Sequence, residues 1–447
     1  MTKNTIYALS TLYGTSAIAI IRVCGDSAFL SFEKLCKKKS ITHNKATLSN
    51  IYDESEEILD KAIIIYFPKE KSYNGEDIFE YHIHGSTSII KTMLEILSKI
   101  PNHRLADRGE FTKIALLNNK INLLEAESLL DLIHSQTPIQ RKQALRGMLG
   151  DVNKKYNDWY NELLESLAEI EATIDFSDQD LPENLFEILD NKIIKVYKEI
   201  QAELNKSKNN NIKQIREGFK IAILGAPNVG KSSLINYLSS KDVAIVSQIA
   251  GTTRDVIEVF LDINGFPALL YDSAGIRITN DEIENKGIAK AIDLANQADI
   301  KIVVIDANNM NTYEEMKQYI DKNTFILLNK IDLVDKKNLK EIFKNIANLH
   351  FVSIKNQQGL SDFKTALGDY LATISGINES PIILQSRHKE IIQNCEKNLY
   401  LTINEKNDII IKSFHLRNAI NNLSQIFGKI DIEEVLGLIF NKFCIGK

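Results

Sequence analysis

The segment that most constrains this chain is Gly225-Ala-Pro-Asn-Val-Gly230-Lys231-Ser232, which fits the pattern GxxxxGK[ST]. An apolar strand is predicted before it at Lys220–Leu224, and Ser233-Leu-Ile-Asn-Tyr-Leu opens a helix after it. Such a string commits its surroundings to a strand, loop and helix whose backbone N–H groups wrap phosphates at a helix N-terminus. Lys231 is placed to pair with the β/γ-phosphates, and the Ser232 hydroxyl to sit on Mg²⁺.

Further pieces follow in order, each close to an apolar strand. Asp272-Ser273-Ala274-Gly275 succeeds Ala268–Tyr271: a carboxylate for Mg²⁺ through water, and the Gly275 N–H for the γ-phosphate. Asn329-Lys330-Ile331-Asp332 succeeds Phe325–Leu328, and a carboxylate at Asp332 accepts two hydrogen bonds from guanine that adenine cannot supply. Asn329 and Lys330 are expected to fix that loop and cover the base. Ser353-Ile354-Lys355 is expected to offer N–H groups to guanine O6, and Thr253 to complete the Mg²⁺ shell. Singly these are ordinary turns; together they define a guanine-nucleotide-binding domain. Ile276 stands where Ras-like switches carry a water-orienting Gln, so the Asp281-Glu282-Ile283-Glu284 acids are candidates for that task. Arg254 and Arg277 are candidate internal arginine fingers, with surface pairing the plainer reading.

With 447 residues, at roughly 150 per domain, about three domains are expected. A mix of 44% apolar and 25% charged residues excludes a disordered or collagenous chain. A net charge of −5 excludes an overall basic coat, though not a local basic patch. Four scattered cysteines (Cys24, Cys36, Cys395, Cys444) suit a reducing compartment rather than a disulfide framework. No apolar run approaches the ~18 residues of a membrane span, and MTKNTIYALS lacks a signal h-region, so a cytoplasmic location without membrane contact is expected.

The fold class predicted is multidomain: an N-terminal α+β domain (1–118), an all-α helical domain in two halves (119–215 and 376–447), and an α/β P-loop domain (216–375) inserted between them. In the first, strands are expected at Thr5–Thr11, Ala17–Val23, Lys61–Phe67 and Ile78–His84, then a helix through Ile89, Met93, Ile96 and Leu97 that Pro101 stops. Apolar stripes run from Val152 through Trp159 to Ile174, and again over Leu189–Leu204 and Leu416–Phe427, as core packing. The polar stretch Asn205–Asn211 reads as a linker, and strands alternating with helices over 218–373 read as a parallel sheet. His82 and His84 share a strand face but have no third ligand, so packing is the expectation. Lys37–Lys39 and Arg141, Lys142 and Arg146 are either phosphate contacts or a solvated face.

The string GAPNVGKSSLIN…AIVSQIAGTTRD…YDSAG resembles the bacterial GTPases Era, Der and MnmE. Three further features select the last: the inserted position of the domain; Ala19-Ile-Ile-Arg22-Val, Gly75-Glu-Asp-Ile-Phe-Glu80 and Arg108-Gly-Glu-Phe-Thr112…Asn119-Lys120; and the ending Cys444-Ile-Gly-Lys447. The chain thus resembles the MnmE (TrmE) family of tRNA wobble-uridine modification GTPases along essentially its whole length.

The resemblance implies a GTP site built from Asn228, Val229, Gly230, Lys231, Ser232 and Ser233, from Ser247, Gln248, Ile249, Ala250, Gly251, Thr252 and Thr253, and from Asp272, Ser273, Ala274 and Gly275. Asn329, Lys330, Asp332, Ser353, Ile354 and Lys355 complete it. It implies Mg²⁺ on Ser232 and Thr253, K⁺ on Asn228, Ser247, Ile249 and Thr252, and Glu284 as the catalytic water-orienting acid. Ser247 and Ser273, where the family pattern has Thr, are minor departures. A one-carbon tetrahydrofolate (5-formyl or methylene) is implied at Arg22, Glu80, Lys120 and Lys447, with Cys444 either a nucleophile or a structural member there. A homodimer is implied, working as an α2β2 heterotetramer with the FAD-dependent MnmG to modify C5 of uridine 34 of tRNA. Two rival readings are a folate-sensing GTPase that regulates a partner without taking part in chemistry, and a ribosome-assembly GTPase of the Era/Der class. Against the latter stands the single P-loop, where Der has two G domains and Era adds a KH domain.

Overall fold

The computed structural model describes residues 5–175, 185–208, 211–241, 258–272, 296–309, 311–334, 348–376, 382–406, 408–428 and 443–446. Several predicted site residues lie outside these: Ser247, Gln248, Ile249, Ala250, Gly251, Thr252, Thr253, Ser273, Ala274, Gly275, Glu284 and Lys447, as do Arg254 and Arg277. The chain divides into two compact units, residues 1–130 with 424–447, and residues 131–423.

The first unit is a six-stranded sheet with helices. Its elements are β1 (Thr5–Leu9), β2 (Ser16–Cys24), α1 (Ala28–Cys36), β3 (Thr47–Tyr52), β4 (Ile58–Phe67), β5 (Ile78–Gly85), α2 (Thr87–Ser98), β6 (His103–Leu105), α3 (Glu110–Leu117) and α4 (Leu123–His134), which runs on into the second unit. The strand order is β3-β4-β5-β2-β1-β6. Pairing is antiparallel except for β1 with β6. Alternation explains β2: Ala19, Ile21 and Val23 are buried on one face, while Arg22 points to the other. On the buried face Phe32 stacks on Phe79, with centroids 5.2 Å apart. Each such fully buried side chain contributes on the order of 1.5–3 kcal/mol. Helix α2 ends at Ser98, ahead of Pro101 as expected. β3, β6, α1 and α3 are additions to the elements expected from the sequence. β3 is an edge strand with only Ser49 and Ile51 buried, too little alternation to stand out.

The second unit contains α5 (Pro138–Met148), α6 (Asp151–Asp175), α7 (Leu185–Lys208), α8 (Ile212–Glu217), β7 (Phe219–Leu224), α9 (Lys231–Lys241), β8 (Glu258–Ile263) and β9 (Phe266–Asp272). After these come β10 (Ile300–Asp306), α10 (Asn311–Met316), β11 (Thr324–Asn329), β12 (Leu349–Phe351), α11 (Leu360–Ser375), α12 (Ser386–Asn404) and α13 (Ile409–Phe427), whose last turn belongs to the first unit. In α6 the predicted stripe is core: Val152, Tyr156, Trp159, Leu163 and Ile170 are all buried. The Trp159 indole N–H donates to Glu199 at 2.9 Å, which satisfies its one polar atom.

Two expectations are corrected. The sheet order is β12-β11-β10-β7-β9-β8, and its edge pair β8–β9 is antiparallel rather than parallel. Asn264 and Gly265 turn that hairpin at φ 52° and 92°, the left-handed pair such a two-residue loop requires. The expected linker Asn205–Asn211 is helical through Lys208. There Lys206 pairs with Glu203 at 2.7 Å and the Ser207 hydroxyl donates to the Leu204 carbonyl, so polar residues are held on the helix.

Candidate functional site

In the second unit, the loop after β7 runs between glycines that have no room for a side chain. A Cβ on Gly225 would lie 2.4 Å from the Val304 carbonyl oxygen, and one on Gly230 would lie 2.5 Å from Asn329 Nδ2. Between them Asn228 sits in the left-handed region at φ 61°, and Val229 is buried. Lys231 opens α9, and its ammonium donates to the carbonyls of Gly225 and Ala226 at 2.7 and 2.9 Å. A cation is thereby held over the phosphate loop at a helix N-terminus. Ser232 and Ser233 follow on the exposed side of α9's first turn. Asp272 ends β9, whose neighbour β7 leads to the same loop.

Asn329, 4% exposed, ties two loops together. Its Nδ2 donates to the Val229 carbonyl at 2.7 Å, and its Oδ1 accepts from Ile354 N at 3.0 Å. Lys330, at φ 66°, reaches Asp306 at 2.6 Å. Asp332 is exposed, and its carboxyl is held below the ordinary value chiefly by the Ser353 side chain, with Lys355 adding charge. A cavity of about 680 Å³ opens here, bordered by Asn228, Gly230, Asn329, Asp332, Ser353 and Lys355, within the usual size of a small-ligand site. One expectation needs correcting. The Ser353 N–H goes to the Gln358 carbonyl and the Ile354 N–H to Asn329, so of the three only the Lys355 N–H is left to turn toward a base.

In the first unit, the register sets Arg22 directly opposite Glu80. Arg22 Nε and Nη2 both donate to Glu80 Oε1, at 3.1 and 2.7 Å. Nη1 donates to the Tyr73 hydroxyl at 3.0 Å, and the guanidinium lies 5.1 and 5.5 Å from the Tyr73 and Phe111 ring centroids. Glu80 Oε2 lies 3.3 Å from His82 Nε2. Gly75, at φ +79°, packs against Asn118 and Lys120: a Cβ there would lie 3.1 Å from Lys120 Cε. Asn74, fully buried, donates to the Cys24 thiol at 3.1 Å. Burial pushes that thiol up to about 12, which makes it an inert packing group.

The C-terminal segment lies along the same unit. Ile445 bridges Arg108, and Gly109 N donates to the Cys444 carbonyl at 3.4 Å. The Gly446 carbonyl accepts from Ser10 Oγ at 2.9 Å and from Arg22 Nη1 at 3.4 Å. Cys444 is exposed, whereas Cys24, Cys36 and Cys395 are buried. Sequence reading does not single out Tyr73 or Ser10, and it includes Phe111 only within the Arg108-Gly-Glu-Phe-Thr112 string. Tyr73, two residues ahead of the Gly75 motif, carried the nearest signal. His82 and His84 are not packed inside as expected. Each contacts a carboxylate, His84 Nδ1 meeting Asp60 at 2.7 Å, and the His84 side chain is largely exposed. Among the described residues no group of three His, Cys, Asp or Glu is placed to hold a metal.

Residues 5–120 match the family model described as "GTP-binding protein TrmE N-terminus", and residues 123–444 match "MnmE helical domain". The chain belongs to the MnmE family. Curated MnmE relatives cover it end to end. The "tRNA modification GTPase MnmE" of Pelagibacter ubique is 45% identical over 449 residues, spanning 99% of this chain and 100% of its own. Those of Rickettsia bellii and Rickettsia canadensis are 40% and 38% identical at the same coverage. Among solved structures, the G domain of the T. maritima FeoB iron transporter is 27% identical, covering 34% of this chain and 98% of its own at a TM-score of 0.27. The MnmE helical match runs from residue 123 to residue 444 and so includes the strands of the second sheet.

Proposed function

We propose that this MnmE-family chain is a GTP hydrolase acting in tRNA modification. With an FAD-dependent MnmG partner, as an α2β2 heterotetramer, it adds a carboxymethylaminomethyl or aminomethyl-type group to C5 of uridine 34. The observation that carries the reading is the Asn329 clamp. It joins the phosphate loop at Val229 to the base-side loop at Ile354, beside an exposed Asp332 in one cavity. That arrangement suits a guanine nucleotide, and the full-length family match favours the modification GTPase over the Era/Der class.

In this reading Lys231 leaves the carbonyls of Gly225 and Ala226 for the β/γ-phosphates. Ser232 and Thr253 would hold Mg²⁺, and Asn228, Ser247, Ile249 and Thr252 would hold K⁺. Held there, the two cations would supply positive charge beside the phosphate oxygens where negative charge develops in the transition state. Asn228's left-handed backbone at the loop supports its part in this set. Glu284 orients the attacking water. The working division remains 1–118, 119–215, 216–375 and 376–447.

Arg22, Glu80, Lys120, Cys444 and Lys447 would form the one-carbon folate site. An Arg22–Glu80 pair in which two guanidinium N–H groups share one carboxylate oxygen, with donors and acceptors left over, suits a flat heterocycle bearing both. The folate supplies the one-carbon unit; the chain's part is to bind and orient it. Support for a homodimer comes from a row of paired residues, Leu48, Ile63, His82 and Ile20, across β3, β4, β5 and β2 on the face away from the aromatic core. Leu48 is 57% and Ile63 43% exposed there, apolar area that a second copy would cover. No described helix is long and apolar enough to cross a membrane, and the proposed location is the cytoplasm.

The test is hydrolysis by the purified protein. GTP turnover should be high in K⁺, collapse in Na⁺, and fall by a factor of ten or more in Glu284→Ala with GTP still bound, roughly the scale of losing one catalytic group. Equal turnover in both salts, or a wild-type rate in Glu284→Ala, would sink the corresponding assignment.

A further inference from the structure

The two oxygens of Asp131, on α4, are divided between the two places where the chain passes into and out of the nucleotide-binding sheet. Oδ1 pairs with Arg216 Nε at 2.7 Å, and Oδ2 accepts from Gln385 Nε2 at 3.1 Å. Arg216 is in the last turn of α8, just before β7, and β7 ends in the phosphate loop. Gln385, 7% exposed, stands at the N-cap position of α12, on the return into the helices.

Neither passage is a slack tether. Ile215 of α8 belongs to the core of the nucleotide-binding sheet. Gln214 Nε2 donates to Asp299 Oδ1 at 3.1 Å, while Asp299 Oδ2 accepts from Lys220 N of β7 at 2.8 Å. At the inner end, Asn211 Nδ2 donates to the Ile374 carbonyl of α11 at 3.2 Å, closing the insert's two ends on each other. α8 is therefore fixed to the sheet. From the helical side, Gln140 Nε2 donates to the Arg216 carbonyl at 2.9 Å, while its Oε1 completes the capping box of α5. A shift of the phosphate loop along β7 reaches Arg216 through rigid structure, and Asp131 is the charged group that receives it.

We propose that Asp131 is a positioning residue that couples the nucleotide state of the inserted domain to tRNA modification, by holding the insert's inbound and outbound passages on one carboxylate. This rests on the reading of the chain as a tRNA modification GTPase. Neither Asp131, Arg216 nor Gln385 lines the nucleotide cavity, so none of the three is placed to touch the nucleotide. Losing it frees the insert to turn over without moving the helices.

The experiment compares wild type, Asp131→Ala and Asp131→Asn, the last keeping the side chain's shape without its charge. GTP affinity and hydrolysis are measured on the purified proteins. Modified wobble uridine is measured in tRNA from cells lacking the gene and carrying each version. The proposal expects GTP binding and hydrolysis to be unchanged in both variants. It expects the modified nucleoside to fall roughly fivefold or more in Asp131→Ala, with a smaller fall in Asp131→Asn. Wild-type nucleoside levels in Asp131→Ala would overturn it. So would parallel loss of hydrolysis and nucleoside in the shape-preserving Asp131→Asn, the mark of a merely structural pair. If the wild-type gene itself restores no modified uridine, the tRNA reading falls first and the coupling with it.

Discussion

Asn329 reaches across 100 residues of sequence to take the Val229 carbonyl at 2.7 Å, while the other end of its amide holds Ile354 N. One buried side chain thus sets the spacing between the loop after β7 and the loop after β12, both of which border the cavity. Replacing it by Ala leaves the Val229 carbonyl and the Ile354 N–H buried without their partner, at a cost of about 1–3 kcal/mol each. Asn329→Ala is expected to weaken GTP binding by about tenfold or more, a factor that takes only ~1.4 kcal/mol. Titration with a fluorescent GTP analogue checks it, and wild-type affinity would refute the clamp.

Asp332 is exposed at the cavity's rim with its carboxyl held in the charged form by Ser353. Exchanging that acceptor for an amide in Asp332→Asn should weaken GTP and admit xanthosine triphosphate, whose base offers an oxygen where guanine has an amino group. Competition between the two nucleotides reads this directly. An unchanged preference for GTP would remove Asp332 from base recognition.

Gly446 has φ +98°, and a Cβ there would lie 2.3 Å from the Leu9 carbonyl oxygen. Gly446→Ala should therefore lift the C-terminal segment off Ser10 and Arg22 while leaving both units folded. Because Cys444 is exposed and the other three cysteines are buried, labelling with a maleimide follows this segment specifically. The variant should label faster than wild type at Cys444 and lose tRNA modification. Equal labelling and full modification would contradict the docked segment's role.

Asp60 is buried at the β4–β5 pairing. Burial alone would raise its carboxyl, but His84 N, His84 Nδ1 and Lys61 N together hold it below the ordinary value. The sign follows from the depressed folded-state value. The stabilisation is complete above the ordinary Asp range near 3.9 and is lost as the pH falls through the folded-state value. Asp60→Asn should then lower the urea midpoint at pH 7, with the difference from wild type shrinking as the pH falls below about 4. A pH-independent difference would show that shape, not charge, is what Asp60 contributes.

How much of this was legible depends on how local the cause is. The phosphate loop was readable because glycine spacing, strand and helix all lie within one stretch. Asn329 and Asp332 were readable as types in order, but the Asn329 contacts to Val229 and Ile354 needed the fold. The same holds for the Ser353 and Ile354 N–H groups, which turn inward to protein acceptors. The β8–β9 hairpin does carry a local mark, since Asn264-Gly265 is a strong short-range turn signal between apolar runs. By contrast nothing local gives Ser10 or Tyr73 a role at the site, and Phe111 shows only as part of the Arg108-Gly-Glu-Phe-Thr112 string. They matter because sheet register brings β1, β2 and the Gly75 loop around Arg22, and the C-terminal segment returns there with Gly446, 424 residues further along the chain.

The most direct test of the central claim is mass spectrometry of tRNA nucleosides from cells lacking this gene, with and without the wild-type copy restored. Loss of a C5-aminomethyl-type uridine at the wobble position, recovered on complementation, is the predicted result. An unchanged nucleoside profile in the deletion would contradict it, leaving a guanine-nucleotide switch whose product lies elsewhere.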